Sequence, residues 1–172
     1  ILNFLFKLEK SFVMAVYTKV NDDQLIEFIS AYDIGFFSSF KGIEQGIENS
    51  NYLLKTTRGV FILTLYEKRI KAEDIPFFLD LMEHSSKRGI RCPKPVADQN
   101  GEMLKTLAGR PAVIVTFLTG SSVTNISLDH CGQLGLMLGK FHKAGMKFQG
   151  ARKNDFSIES WREIAGLCSG KI

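Results

Sequence analysis

The chain has 172 residues, 45% of them hydrophobic and 23% charged. Those proportions suit a folded domain with a real core and exclude an intrinsically disordered chain. The formal net charge is a mild +4 and the Lys and Arg residues are scattered, which argues against nucleic-acid binding.

The ends and the soft ligands exclude more. Ile1 to Phe6 is apolar, but Asn3 interrupts it and Lys7, Glu9 and Lys10 follow, so it reads as neither a signal peptide nor a membrane span. The first methionine is Met14, and residues 1–13 are expected to lie upstream of the natural start. Cys92, Cys131 and Cys168 stand far apart with no C-x-x-C, as expected of free thiols in the cytoplasm. His84, His130 and His142 lack metal-ligand spacing, and no metal site is expected.

A helix is predicted from Asn21, which can cap it while Gln24 completes a capping box. Leu25, Ile26, Phe28, Ile29 and Tyr32 form its apolar face, and Asp33-Ile34-Gly35 ends it. Strands are predicted at 36–43, 51–56 and 60–67, the last two joined by Thr57-Arg58-Gly59 as a hairpin. A second helix starts near Pro76, which suits a first helical turn, and closes at Arg88-Gly89. Pro93 and Pro95 impose an extended segment. Strands near 95–98 and 102–107 flank a turn at Asp98–Gly101, and Pro111 to Leu118 is a β-branched strand. Thr119-Gly120-Ser121-Ser122 breaks the pattern. Helices capped by Ser127 and Ser157 follow, the first with Leu128, Cys131, Leu134, Leu138 and Phe141 on one face.

Three stretches carry candidate chemistry. The loop from Gly42 through Gly46 to Asn49, Ser50 and Asn51 can bring backbone N–H groups and short polar side chains to phosphate oxygens. Taken alone it also reads as an ordinary hairpin loop, and Glu44 and Glu48 would repel a triphosphate unless turned outward. Asp80 and Glu83 share a face of the second helix, which also reads as a solvated face. Thr116, Phe117 and Leu118 end a strand at small residues, where backbone groups can meet an adenine edge or simply form a linker.

Together, SFKGIEQGIENSNYLLKTTRGVFILTLYEKR, IPFFLDLMEHSSKRGIRCPKPV, LAGRPAVIVTFLTG, LGLMLGKFHKAG and ARKNDFSIESWRE resemble, in order, the N-terminal part of bacterial homoserine kinases. These are the kinases related to aminoglycoside phosphotransferases and choline kinases. The resemblance implies an α+β, protein-kinase-like fold. A nucleotide-binding lobe over 14–118 would hold a five-stranded antiparallel sheet with an inserted helix. Residues 119–172 would be the hinge and the start of an incomplete helical lobe.

It further implies ATP bound between the lobes, with Mg²⁺, and transfer of the γ-phosphoryl group to the hydroxyl of L-homoserine in threonine biosynthesis. No nucleic-acid or membrane partner is expected. Thr64 stands where the wider superfamily carries a basic residue, which leaves open the cation that meets the α- and β-phosphates. The catalytic H-x-D-x-x-x-x-N loop is absent, since Ser86, Gly132 and Ala144 stand two positions after the three histidines. The catalytic Asp and the magnesium ligands are therefore expected beyond residue 172, and residues 1–172 alone are expected to be inactive. A related kinase for choline, methylthioribose or an aminoglycoside, or a non-catalytic nucleotide-binding remnant, are the alternatives.

Overall fold

The computed structural model describes residues 16–44, 48–67, 70–155 and 157–168. Residues 1–13 and Gly46 therefore lie outside the described residues.

Helix α1 (Asp22–Ser30) opens with the expected capping box, in which Asn21 accepts from the Gln24 N–H and the Gln24 side chain accepts from the Asn21 N–H. Asp22 and Asp23 sit in its first turn, at the positive end of the helix dipole. Leu25, Phe28 and Ile29 are buried, whereas Ile26 is half exposed. Burying Leu25 and Ile29 is worth about 1.5–3 kcal/mol each. After α1 the chain turns at Gly35, whose φ is +84°. A Cβ there would sit 2.5 Å from the Thr57 hydroxyl, so both conformation and space require glycine.

Five antiparallel strands follow: β1 (Phe37–Gly42), β2 (Asn49–Thr56), β3 (Gly59–Tyr66), β4 (Lys105–Leu107) and β5 (Arg110–Thr116). Their spatial order is β1-β2-β3-β5-β4. The insertion between β3 and β5 holds a 3₁₀ turn (Ala72–Asp74) and helix α2 (Ile75–Lys87), with Pro76 in its first turn as expected.

The segment 95–98 is not a strand. It makes one bridge, Pro95 to Val115, flanked by bonds from the Val96 N–H to the Ile114 carbonyl and from the Thr116 N–H to the Lys94 carbonyl, each at 2.9 Å, and the turn at Asp98 ends the pairing. The expected strand at 102–107 shortens to β4. Before it, Asp98 turns the chain by accepting from the N–H groups of Asn100 and Glu102, each at 2.9 Å. The side chain of Asp98 is fully buried and ion-paired to Lys105 at 2.6 Å. That ammonium and the two N–H groups hold its carboxyl below the usual range.

Alternation along the strands gives the sheet two different faces. On one, Tyr52, Leu54, Leu63, Leu65, Ala112 and Ile114 pack with α1 into the main core. On the other, Tyr66 and Val113 meet Ile75 and Leu79 of α2, with Met82 and Val115 beside them. Helices α3 (Leu128–Gly145) and α4 (Ile158–Cys168) follow, and Ser127 caps α3 as expected. They bury little of their own surface: Leu128, Leu134, Leu138, Phe141, Trp161, Ile164 and Leu167 are all exposed. What holds α3 is α2. The His84 Nε2–H donates to the Ala144 carbonyl at 2.9 Å, which fixes the tautomer, and Phe148 stacks edge-on against Phe77 and His84. Arg152 pairs with Asp74 at 3.0 Å and lies over the Phe78 ring.

Candidate functional site

The face of the sheet that α2 covers in part is the candidate site. Register places its side chains in rows across the strands. One row is Asn51 of β2, Thr64 of β3 and Val113 of β5. The next is Lys41 of β1, Leu53, Ile62 and Val115. In the first row the Thr64 hydroxyl donates to the side-chain carbonyl of Asn51 at 2.8 Å. Both residues are half-buried. That bond leaves the Asn51 amide N–H groups and the Thr64 oxygen lone pairs for a ligand. Beyond Lys41, the second row is an apolar strip.

Ser50 points the other way. Strand alternation sends it into the core face with Tyr52 and Leu54, where it is fully buried. Its Oγ accepts from the N–H groups of Tyr17 and Thr18 at 2.8 and 3.0 Å and donates to Glu67 at 2.7 Å. The Tyr52 hydroxyl donates to the Thr18 carbonyl at 2.5 Å. Glu67 pairs in turn with Arg110 at 3.1 Å. Burial alone would raise the Glu67 carboxyl, but hydrogen bonds from Thr18 and Ser50 and the Arg110 charge bring it below its ordinary value. In this structure Ser50 fastens the segment before α1 to the sheet.

Gly42 serves the same strap. A Cβ there would come within 2.9 Å of Val16, so the space is taken by protein. Asn49 accepts a long bond, 3.4 Å, from the Glu67 N–H.

The acids of α2 are not joined to the Asn51–Thr64 pair. Asp80 is exposed, and Glu83 pairs with Lys87 at 3.0 Å. Among the described residues no hydrogen bond or ion pair links either one to that row.

The end of β5 is divided. Thr116 is occupied: its N–H donates to the Lys94 carbonyl at 2.9 Å and its hydroxyl accepts from the Lys94 N–H at 3.0 Å. Phe117 and Leu118 lie past the strand and are exposed. Among the described residues their backbone groups bond to no other residue. This face thus offers an apolar strip at Leu53 and Ile62, exposed residues 117–118 at its edge and a polar pair at Asn51–Thr64.

Among the described residues no group of three or more His, Cys, Asp and Glu could hold a metal ion, and no helix is long and apolar enough to cross a membrane.

Residues that the spacing alone did not single out are His84, Phe148 and Arg152, which join α2 to the helical region. The basic spacing around them is unremarkable, and only tertiary contact reveals the link.

Comparison with known proteins is consistent with this architecture. The chain is 54% identical over 151 residues to a protein of Methylobacterium radiotolerans named homoserine kinase, covering 88% of this chain and 47% of that one. It is 50% identical over 158 residues to the homoserine kinase of Xanthobacter autotrophicus, covering 92% and 49%. The chain thus spans about half the length of the curated relatives it matches. A crystal structure of spectinomycin phosphotransferase in complex with ADP and spectinomycin superimposes with a TM-score of 0.65. At 16% identity, covering 88% of this chain and 47% of that one, it supports the fold alone. Residues 39–171 match the family described as phosphotransferase enzymes (APH), and the chain belongs to that family.

Proposed function

We propose that the whole protein, of which these residues form about half the length of the relatives, is an ATP-dependent homoserine kinase. The observation that carries this is identity of about half over nearly all of the chain to proteins of that name. The hydroxyl oxygen of L-homoserine attacks the γ-phosphorus, the bond to the β,γ-bridging oxygen breaks, and O-phospho-L-homoserine and ADP result. The hydroxyl proton passes to a base, for which the family pattern supplies an Asp in an H-x-D-x-x-x-x-N loop that this sequence does not contain.

The part assigned to these residues is binding. Leu53 and Ile62 form a surface for the base. The backbone at 117–118 meets its edge. Asn51 and Thr64 lie toward the phosphates. Gly42 and Asn49 flank the loop in which Gly46 falls by sequence, and Asp80 and Glu83 stand on the helix above the sheet. Binding of this kind contributes by holding the reactants in line. Magnesium would offset the phosphate charge, but its ligands belong to the rest of the protein.

The rest of the protein is also what covers α3 and α4. The free cysteines and the use of ATP suit the cytoplasm.

A coupled ADP-release assay on the whole protein, with homoserine, choline and methylthioribose in parallel, tests the reading. Release with homoserine alone supports it. Release with choline or methylthioribose in its place assigns another small-molecule kinase of the family, and release with none of the three removes it.

A further inference from the structure

We infer that Lys41 is the cation that meets the nucleotide phosphates in place of the basic residue missing from β3, an inference that rests on the nucleotide reading above. Polyphosphate needs a positive partner, and β3 offers Thr64.

Register decides where that partner sits. Phe40 packs on Tyr52 in the core face, with ring centroids 5.4 Å apart, so Lys41 occupies the opposite face. The irregularity in β1 lies between Phe37 and Ser39, before this point, and the alternation holds from Ser39 to Gly42. Lys41 stands across from Leu53, and Leu53 is one row from Asn51 and Thr64. Diagonal neighbours across a pair of strands are about 7–8 Å apart, which the flexible lysine stem spans.

The other cations are placed less well. Arg58 pairs with Asp33, Arg110 with Glu67, Lys105 with Asp98, Lys87 with Glu83 and Lys71 with Glu73. Lys94 lies opposite Thr116, whose side chain alternates onto the α1 face with Ile114. Lys55 shares the face of Lys41, but it stands across from Ser39 and Val60, two rows from Asn51–Thr64. Lys41 is exposed and has no ion-pair partner among the described residues. In the rows from Ser39–Lys55–Val60 to Asn51–Thr64–Val113 no residue is acidic. Within these rows the lysine charge has no acidic neighbour, which favours an anion there. Lys68 and Arg69 lie outside the described residues and are the direct competitors.

Calorimetric titration of the protein with ATP, ADP and adenosine tests the assignment. Lys41→Ala is expected to weaken ATP and ADP about tenfold and to leave adenosine within about twofold, the loss of one charge-assisted bond. Lys41→Arg restores most of the ATP affinity, and Lys55→Ala changes it by less than about twofold. An equal loss for adenosine marks a structural effect and overturns the proposal. So does unchanged ATP affinity in Lys41→Ala, above all if Lys68→Ala or Arg69→Ala carries the loss. If the unsubstituted protein binds none of the three ligands, the nucleotide reading itself fails and the assignment falls with it.

Discussion

The Thr64 hydroxyl donates a 2.8 Å hydrogen bond across the β2–β3 ladder to the side chain of Asn51. The two residues are 13 apart in sequence and directly opposite in the sheet. This bond occupies the Asn51 side-chain carbonyl and leaves its N–H groups for another partner.

Breaking that bond should be felt in both stability and binding. Thr64→Val removes the donor and keeps the shape, at a cost of about 1 kcal/mol in urea unfolding. Thr64→Ser should recover most of it. A double-mutant cycle with Asn51→Ala should give a coupling of at least about 0.5 kcal/mol. Additive effects would mean that the bond contributes nothing.

Ser50→Ala should destabilise more than Thr64→Val. It strips the acceptor from two backbone N–H groups and the donor from a largely buried carboxylate. A loss of about 2 kcal/mol is expected, with earlier proteolysis between residues 16 and 20. An effect confined to nucleotide affinity, with unfolding unchanged, would return Ser50 to the binding site.

The lowered Glu67 carboxyl makes stability depend on acid. A carboxyl held below its ordinary value of 4.5 contributes stability above that value. The contribution is lost as pH falls through the folded-state value. Stability should therefore decline on acidification below about pH 4.5. Glu67→Gln should flatten part of that decline while lowering stability at pH 7. Asp98, also held low, supplies a second part, so Asp98→Asn should flatten what remains. Identical acid profiles for the native protein and Glu67→Gln would contradict the network.

Residues 1–172 by themselves should bind 1-anilinonaphthalene sulfonate and self-associate. The reason is the exposed row Leu134, Leu138 and Phe141 on α3, with Trp161 and Ile164 on α4. Gly135 and Gly139 leave open space beside that row. A monomer with no dye binding, by analytical ultracentrifugation and fluorescence, would contradict the reading that these faces are normally covered.

Local chemistry made much of this fold legible. Asn21 with Gln24 and Ser127 mark the starts of two helices, and both cap as their side chains require. The β-branched run ending at Thr116 and the apolar run ending at Tyr66 form the centre of the sheet. Extended segments near proline were less legible, because Pro93 and Pro95 favour extended backbone without deciding how far it pairs, and the Asp98 turn ends the pairing after one bridge. Within the candidate segments, the direction of each side chain was harder to read. Polar residues 49 to 51 looked alike in sequence, yet alternation with buried Tyr52 and Leu54 turns Ser50 inward and Asn51 outward. That signal was present in the period of two. The Thr64 partner was not readable, since it depends on register. The link between His84 and Ala144 spans 60 residues and depends on how two helices dock.

The central claim is that the Asn51–Thr64 face, with the free backbone at 117–118, holds the nucleotide. The most direct measurement is backbone amide chemical-shift mapping on the isotopically labelled protein as ADP is added. The account predicts the largest changes at Asn51, Leu53, Ile62, Thr64, Phe117 and Leu118, with little change at α1. Changes centred on α1 or on α4, or none at saturating ADP, would contradict it.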